Sequence, residues 1–226
     1  PANGEVFFAL TNNTSRGNGT ATELPEIYKG NRDIGADAAN PRLSNAHGHI
    51  IRMREAGGLN AATSFEWEIM VFGSRNDNAT TNISNLTGAS DFSSPDGLWM
   101  DPRGLLWIQT DDGSNFTSGA TALSNNQMLV TIPGNPGQTP VINRFLVGPK
   151  GCEITGVDIT PDGKTMFVNI QHPGEVTTNV NLADPTTFQS HWPMGSDPTV
   201  DAAASTARPR STTIVITKND GGIIGM

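Results

Sequence analysis

Apolar and polar residues fall in short blocks along this chain, and three of the blocks follow one pattern. Pro102-Arg103-Gly104 is followed by Leu-Leu-Trp-Ile-Gln-Thr and closes on Asp111-Asp112. Pro161-Asp162-Gly163 is followed by Lys-Thr-Met-Phe-Val-Asn-Ile-Gln and closes on Gln171-His172-Pro173-Gly174-Glu175. The chain opens on Pro1-Ala2-Asn3-Gly4, continues Glu-Val-Phe-Phe-Ala-Leu-Thr and reaches Asn12-Asn13. In each unit Pro presets φ, Gly supplies positive φ, and Asp or Asn bonds its own backbone, which is turn chemistry. The runs after the turns are rich in β-branched, aromatic and other apolar residues, which suit strands buried on both faces.

Two units also carry a preceding strand, Gly97 to Asp101 and Ile154 to Thr160. Further strands are predicted at His49 to Arg54, Phe65 to Phe72, Met128 to Ile132, Val141 to Val147 and Thr212 to Thr217. A recurring unit of this size marks a repeat architecture, and up to four strands per unit predict an all-β fold, a β-propeller. The 226 residues hold about three blades, whereas closed propellers use roughly 4 to 8. Long polar insertions at Thr14 to Asn45, Gly73 to Ser94 and Gly174 to Arg210 consume the remaining length.

The first unit begins at its turn, so the strand expected before Pro1 is missing. The expectation is one partial propeller domain over residues 1–226, truncated at its N-terminus. Opening a ring exposes apolar faces of a kind that stable monomers rarely leave to water. The chain is therefore expected to associate with itself or with a missing N-terminal half.

Charged residues are only 16%, and the formal net charge is -8 with a pI of about 4.8. An acidic surface argues against nucleic acid, which needs clustered Lys and Arg, and it suits a protein that gathers divalent cations. No run approaches the roughly 18 apolar residues of a membrane span. The single cysteine, Cys152, cannot form an internal disulfide and reads as a small buried thiol.

Several segments together resemble the C-terminal half of the PhoX-type alkaline phosphatases: SPDGLWMDPRGLLWIQTDDG, NNQML, GPKGCEITG, TPDGKTMFVNIQHPGE, SHWP and RPRSTTIVITKNDGGIIG. Asn40-Pro41 with Gly48-His49-Ile50-Ile51-Arg52 adds to the resemblance, which covers nearly the whole chain. PDGLW alone would fit many propellers, lactonases among them. The resemblance implies a six-bladed ring, exported to the periplasm or beyond, that hydrolyses phosphate monoesters with calcium and iron. It also implies that the iron-ligating cysteine and several acidic ligands belong to the N-terminal half, so Cys152 is not assigned to iron.

Two carboxylates stand out within the units. Asp96 lies six residues ahead of Pro102, at the start of its strand, and the resemblance puts a family Glu at the same distance before Pro1. The equivalent position in the third unit is Thr155, but Glu153, two residues earlier, shares its face of the strand. Both are candidate metal ligands, since calcium takes roughly 6 to 8 oxygen ligands from several elements; Asp96 also reads as a turn former. The strand ends Asn12-Asn13, Asp111-Asp112 and Gln171-His172 should emerge on the same side, singly as ordinary loop caps. His172 is the exception worth testing, because neutral imidazole can bind iron or act as an acid. His47, His49 and His191 read as structural, and Trp67, Trp99, Trp107 and Trp192 as packing between blades. Sequons at Asn18, Asn78 and Asn115 carry little weight in so Asn- and Thr-rich a chain, and Arg208-Pro209-Arg210 reads as a solvated loop entry.

Three function classes remain: a phosphatase half-propeller, a calcium-dependent hydrolase of the lactonase kind, and a non-catalytic binding propeller. Cleavage of phosphate monoesters separates the first from the second, and metal at the channel mouth separates both from the third.

Overall fold

The computed structural model describes residues 4–14, 36–112, 125–175, 177–178, 181–194 and 207–225. Sequons Asn18 and Asn115 lie outside them. Among the described residues the chain is all-β, with ten strands, two three-residue 3-10 turns and three antiparallel sheets, none of them closed. The first sheet is ordered β1 (Glu5–Leu10), β2 (His49–Glu55), β3 (Phe65–Phe72). The second contains β4 (Pro95–Met100), β5 (Leu106–Thr110), β6 (Gln127–Thr131) and β7 (Ile142–Val147) in that order. In the third, β9 (Thr165–Gln171) lies between β8 (Glu153–Ile159) and β10 (Thr212–Thr217).

Every strand predicted from turn chemistry forms, within two residues of its expected ends. Asp101 fixes the first of these turns. Its carboxylate accepts from the backbone N–H groups of Arg103 and Leu105 at 2.8 and 3.1 Å, from the Arg103 guanidinium, and from the Trp107 indole at 3.2 Å. Burial opposes ionisation of Asp101, but these bonds outweigh it and hold the carboxyl below its ordinary range.

The expectation of burial on both faces holds for the middle sheet alone. All five residues of β5 are buried, and their period-two alternation divides them between two cores. Leu106 and Ile108 lie in one cluster with Ile50, Met70 and Val71 of the first sheet and with Phe92 of the segment between β3 and β4. Trp107 faces the third through Ile154, Met166, Val168 and Ile170, with Ile224 closing the C-terminal end. The outer faces of the flanking sheets carry exposed apolar residues, including Val6 and Phe8 on β1, Phe167 on β9 and Val215 on β10. Trp67, expected to pack between blades, is 41% exposed on one of these faces, because no element of the described chain covers it.

His47, His49 and His191 are buried, as their structural reading requires. Burial pushes His47 down to about 4, with Arg42 and Arg75 adding to the effect and Asp91 opposing it. A depressed histidine leaves the unfolded chain binding the extra proton between the two pKa values. Stability is therefore full above the ordinary value of about 6.5 and falls as pH drops toward 4, by up to about 3 kcal/mol. His47→Gln should flatten this part of the profile. Melting temperatures of both proteins from pH 7 to pH 4 check it, and parallel profiles would contradict it.

Candidate functional site

Two inner hairpins build the site in the same way. In the second sheet Pro95 pairs with Thr110 and Leu98 with Ile108, so Asp96 and Gly97 form a bulge. In the third, Thr155 pairs with Asn169 and Val157 with Val168, so Gly156 is the extra residue. The two bulges occupy equivalent positions in their hairpins, as the spacing of Asp96 and Thr155 predicts. Bulges re-aim neighbouring side chains and recur beside active sites. Gly156 is left-handed, with φ 54°, a conformation that favours glycine; a Cβ there would come 2.6 Å from Asn169 Nδ2, and one on Gly97 2.5 Å from Gln109 Oε1, so either amide would have to shift to admit a side chain.

Asp96 is exposed just inside the start of β4, whereas Glu153 is buried as the first residue of β8. Gln171 Nε2 donates to Glu153 Oε2 at 2.7 Å, and His172 Nε2 lies 3.4 Å from the same oxygen. His172 Nδ1 is 3.4 Å from Glu175 Oε2, which places the imidazole between two carboxylates. Its backbone is left-handed, with φ 37°, a conformation that a non-glycine residue adopts at a cost and often at functional positions.

Asp111 joins this group from the end of β5. Burial pushes its carboxyl above the ordinary range, the charges of Asp96 and Glu175 add to that, and His172 opposes it. Burial likewise raises Glu153, with Asp111 and Asp96 contributing and His172 again opposing. Asp112, the next residue, is raised by burial and by Asp111 against hydrogen bonds from Ser93 and Ser94. Carboxylates drawn from two sheets thus repel one another across one end of the hairpins. The spacing of Asp96 and Glu153 points to this group, but Asp111 reads as a loop cap in the sequence, because only sheet packing brings it in; Glu175, which carries no role in the sequence, arrives through its own turn, three residues after His172.

Amide side chains lock the sheets together beneath the carboxylates. Asn126 Oδ1 accepts from Thr110 Oγ1 and from the Asp112 backbone N–H, both at 2.7 Å, while its Nδ2 donates to the Cys152 carbonyl at 2.7 Å. Asn12 Nδ2 donates to Ser94 Oγ at 2.8 Å, tying the end of β1 to the entry of β4. Nothing local marks Asn126 in the sequence. Asn13 turns away instead, donating its backbone N–H to the Asn45 carbonyl at 2.7 Å.

Among the described residues, no three His, Cys, Asp or Glu side chains already surround one point as a metal requires. The donor chemistry nevertheless suits a hard cation, since Asp96, Asp111 and Glu153 offer carboxylate oxygens whose mutual repulsion a cation would relieve. Iron finds less here. Burial pushes the Cys152 thiol up to about 12, so its sulfur is a neutral, enclosed group rather than a thiolate ligand.

Residues 1–174 match the sequence profile of the family described as Alkaline phosphatase PhoX. The chain belongs to the PhoX alkaline phosphatase family. It is also similar to the solved structure of Pseudomonas fluorescens PhoX in complex with vanadate, a transition state analogue, with 36% identity and a TM-score of 0.76. That likeness covers 100% of this chain and 33% of the other, so the chain spans about a third of the length of that PhoX. No curated protein matches the chain. No helix among the described residues is long and apolar enough to cross a membrane, which leaves membrane β-barrels unaddressed.

Proposed function

We propose that this chain is the C-terminal portion of an exported PhoX-type phosphatase that hydrolyses phosphate monoesters, and that its three sheets are blades of a propeller completed by the rest of the protein. Family membership supports the reaction class, and the group formed by Asp96, Asp111, Glu153, His172 and Glu175 carries the placement of the site. The repeat supports the propeller: equivalent hairpins put equivalent bulges at one end of neighbouring sheets. Export to the periplasm or beyond fits the same family.

Asp96, Asp111 and Glu153 would hold calcium, with the remaining oxygen ligands and those for iron supplied from outside this chain. Calcium bound there supplies charge that neutralises the oxygens of a phosphate monoester. The residues of the chain do the positioning. Gln171 fixes the rotamer of Glu153 through its 2.7 Å bond. Asn126 holds Asp112, and with it the end of β5, against the strand entry at Cys152. The bulge at Asp96-Gly97 sets the direction of Asp96 relative to Asp111. With only part of the ligand set present, the chain expressed alone is inactive.

The decisive experiment uses the intact protein, stripped with a chelator and then given calcium, iron or both, with release of inorganic phosphate from a monoester as the readout. The expected result is activity that is lost on stripping and returns with metal. Lactone hydrolysis without phosphate release would instead favour a lactonase-like enzyme, and neither activity would favour a binding propeller.

A further inference from the structure

We infer that the cavity beside the carboxylate group receives the alcohol portion of the phosphate monoester, with Leu182, Phe188 and Arg208 selecting flat, partly apolar alcohols over small polar ones. This rests on the phosphatase reading above. The cavity measures about 330 Å³ and begins where the candidate site ends, because His172 and Glu175 form one of its walls. The same His172 lies 3.4 Å from Glu153, and the charge of Glu175 reaches Asp111. A phosphate held among those carboxylates by a cation would have its ester substituent beside this opening.

The opposite wall differs in character. Leu182 is apolar yet 43% exposed, while Phe188, which lines the same cavity, is buried. The Arg208 guanidinium lies 5.9 Å from the centre of the Phe188 ring and donates to the Leu182 carbonyl at 3.3 Å. The near wall is pinned close by its turn. Gly174 has φ 77°, and a Cβ there would meet Pro209 and Ser190 at 3.3 Å. An exposed apolar side chain and a planar cation at one mouth, backed by the buried Phe188 ring, make a surface suited to a flat group carrying a hydrogen-bond acceptor. The room is that of roughly ten water molecules, enough for a fused aromatic ring. Arg208, which reads in the sequence as part of a solvated loop entry, thereby gains a task.

The test compares 1-naphthyl phosphate with glycerol phosphate as substrates of the intact, metal-loaded enzyme and of its Leu182→Trp and Leu182→Ala variants. Each variant is compared with wild type on each ester, so the intrinsic reactivity of the leaving group cancels. Leu182→Trp fills the mouth and is expected to lower kcat/KM for the naphthyl ester about tenfold, chiefly through KM, while glycerol phosphate changes less than about twofold. Leu182→Ala removes the contact without blocking the space and should lower naphthyl kcat/KM about threefold, again sparing the small ester. Equal losses on both esters, or no change on either, in a wild-type enzyme that cleaves both would overturn the subsite while leaving the phosphatase reading intact. A wild-type enzyme that cleaves neither overturns both.

Discussion

The Asp96→Asn, Glu153→Gln double variant of the intact enzyme is expected to lose at least about 100-fold in phosphate release, the scale on which even outer partners of metal sites matter. Each substitution removes a negative charge and keeps an oxygen of similar size. The amide at 153 can still accept from Gln171, so the hairpin retains its local bonds. Stability should move the other way. The ionised carboxylates of Asp96 and Asp111 already disfavour that of Glu153, and Asp96 disfavours that of Asp111. Neutralising two members relieves this repulsion, so the metal-free variant should melt at or above the wild-type temperature. Calcium, which stabilises whatever state it binds, should raise the melting temperature of the wild type and leave the variant unmoved. Differential scanning calorimetry beside a phosphate-release assay checks both arms. Full activity in the variant would remove Asp96 and Glu153 from the metal site.

Trp107→Ala should be the most damaging substitution in the core, costing about 3–5 kcal/mol and lowering the melting temperature by roughly 10 °C. Trp107 has no exposed surface and meets Phe145 edge-on, with ring centres 5.0 Å apart at 80°. Its indole N–H also feeds the Asp101 turn at 3.2 Å, so truncation opens a cavity between two sheets and weakens a turn at once. Trp107→Phe keeps most of the volume and should cost about 1–2 kcal/mol. Trp67→Ala, at an exposed position, should cost less than about 1 kcal/mol. Comparable losses at Trp107 and Trp67 would contradict the placement of the core in the middle sheet.

Strand order was legible because its signals are local. Pro-Arg-Gly at 102–104 and Pro-Asp-Gly at 161–163 each precede a strand, and the apolar runs between turns mark the rest. Burial was legible only in part. β5 and β9 look alike in sequence, yet β5 is covered on both faces while β9 alternates buried with exposed residues, a difference set by which sheets lie on either side. The candidate site divides in the same way. Equivalence of the units leads to Asp96 and Glu153, whereas Asp111 joins them only through the packing of the second sheet on the third and Glu175 only through the turn after β9 that sets it beside His172. Gly97 and Gly156 carried a readable trace, a glycine at the same place in both inner strands, but their purpose as bulges needs the cross-strand partners Gln109 and Asn169.

The Asn126 clamp separates two tolerances that usually travel together. Because one amide spans the second and third sheets through three bonds of 2.7 Å, the spacing of the site is set by polar contacts at its rim rather than by the fit of side chains in the cores below. Apolar residues such as Met128, Met166 or Ile224 can then drift in shape over evolutionary time while the distance between the hairpin ends stays fixed. A lineage can thus lose most of the sequence identity of its cores and keep its chemistry, provided that this asparagine survives together with the carboxylates it spaces.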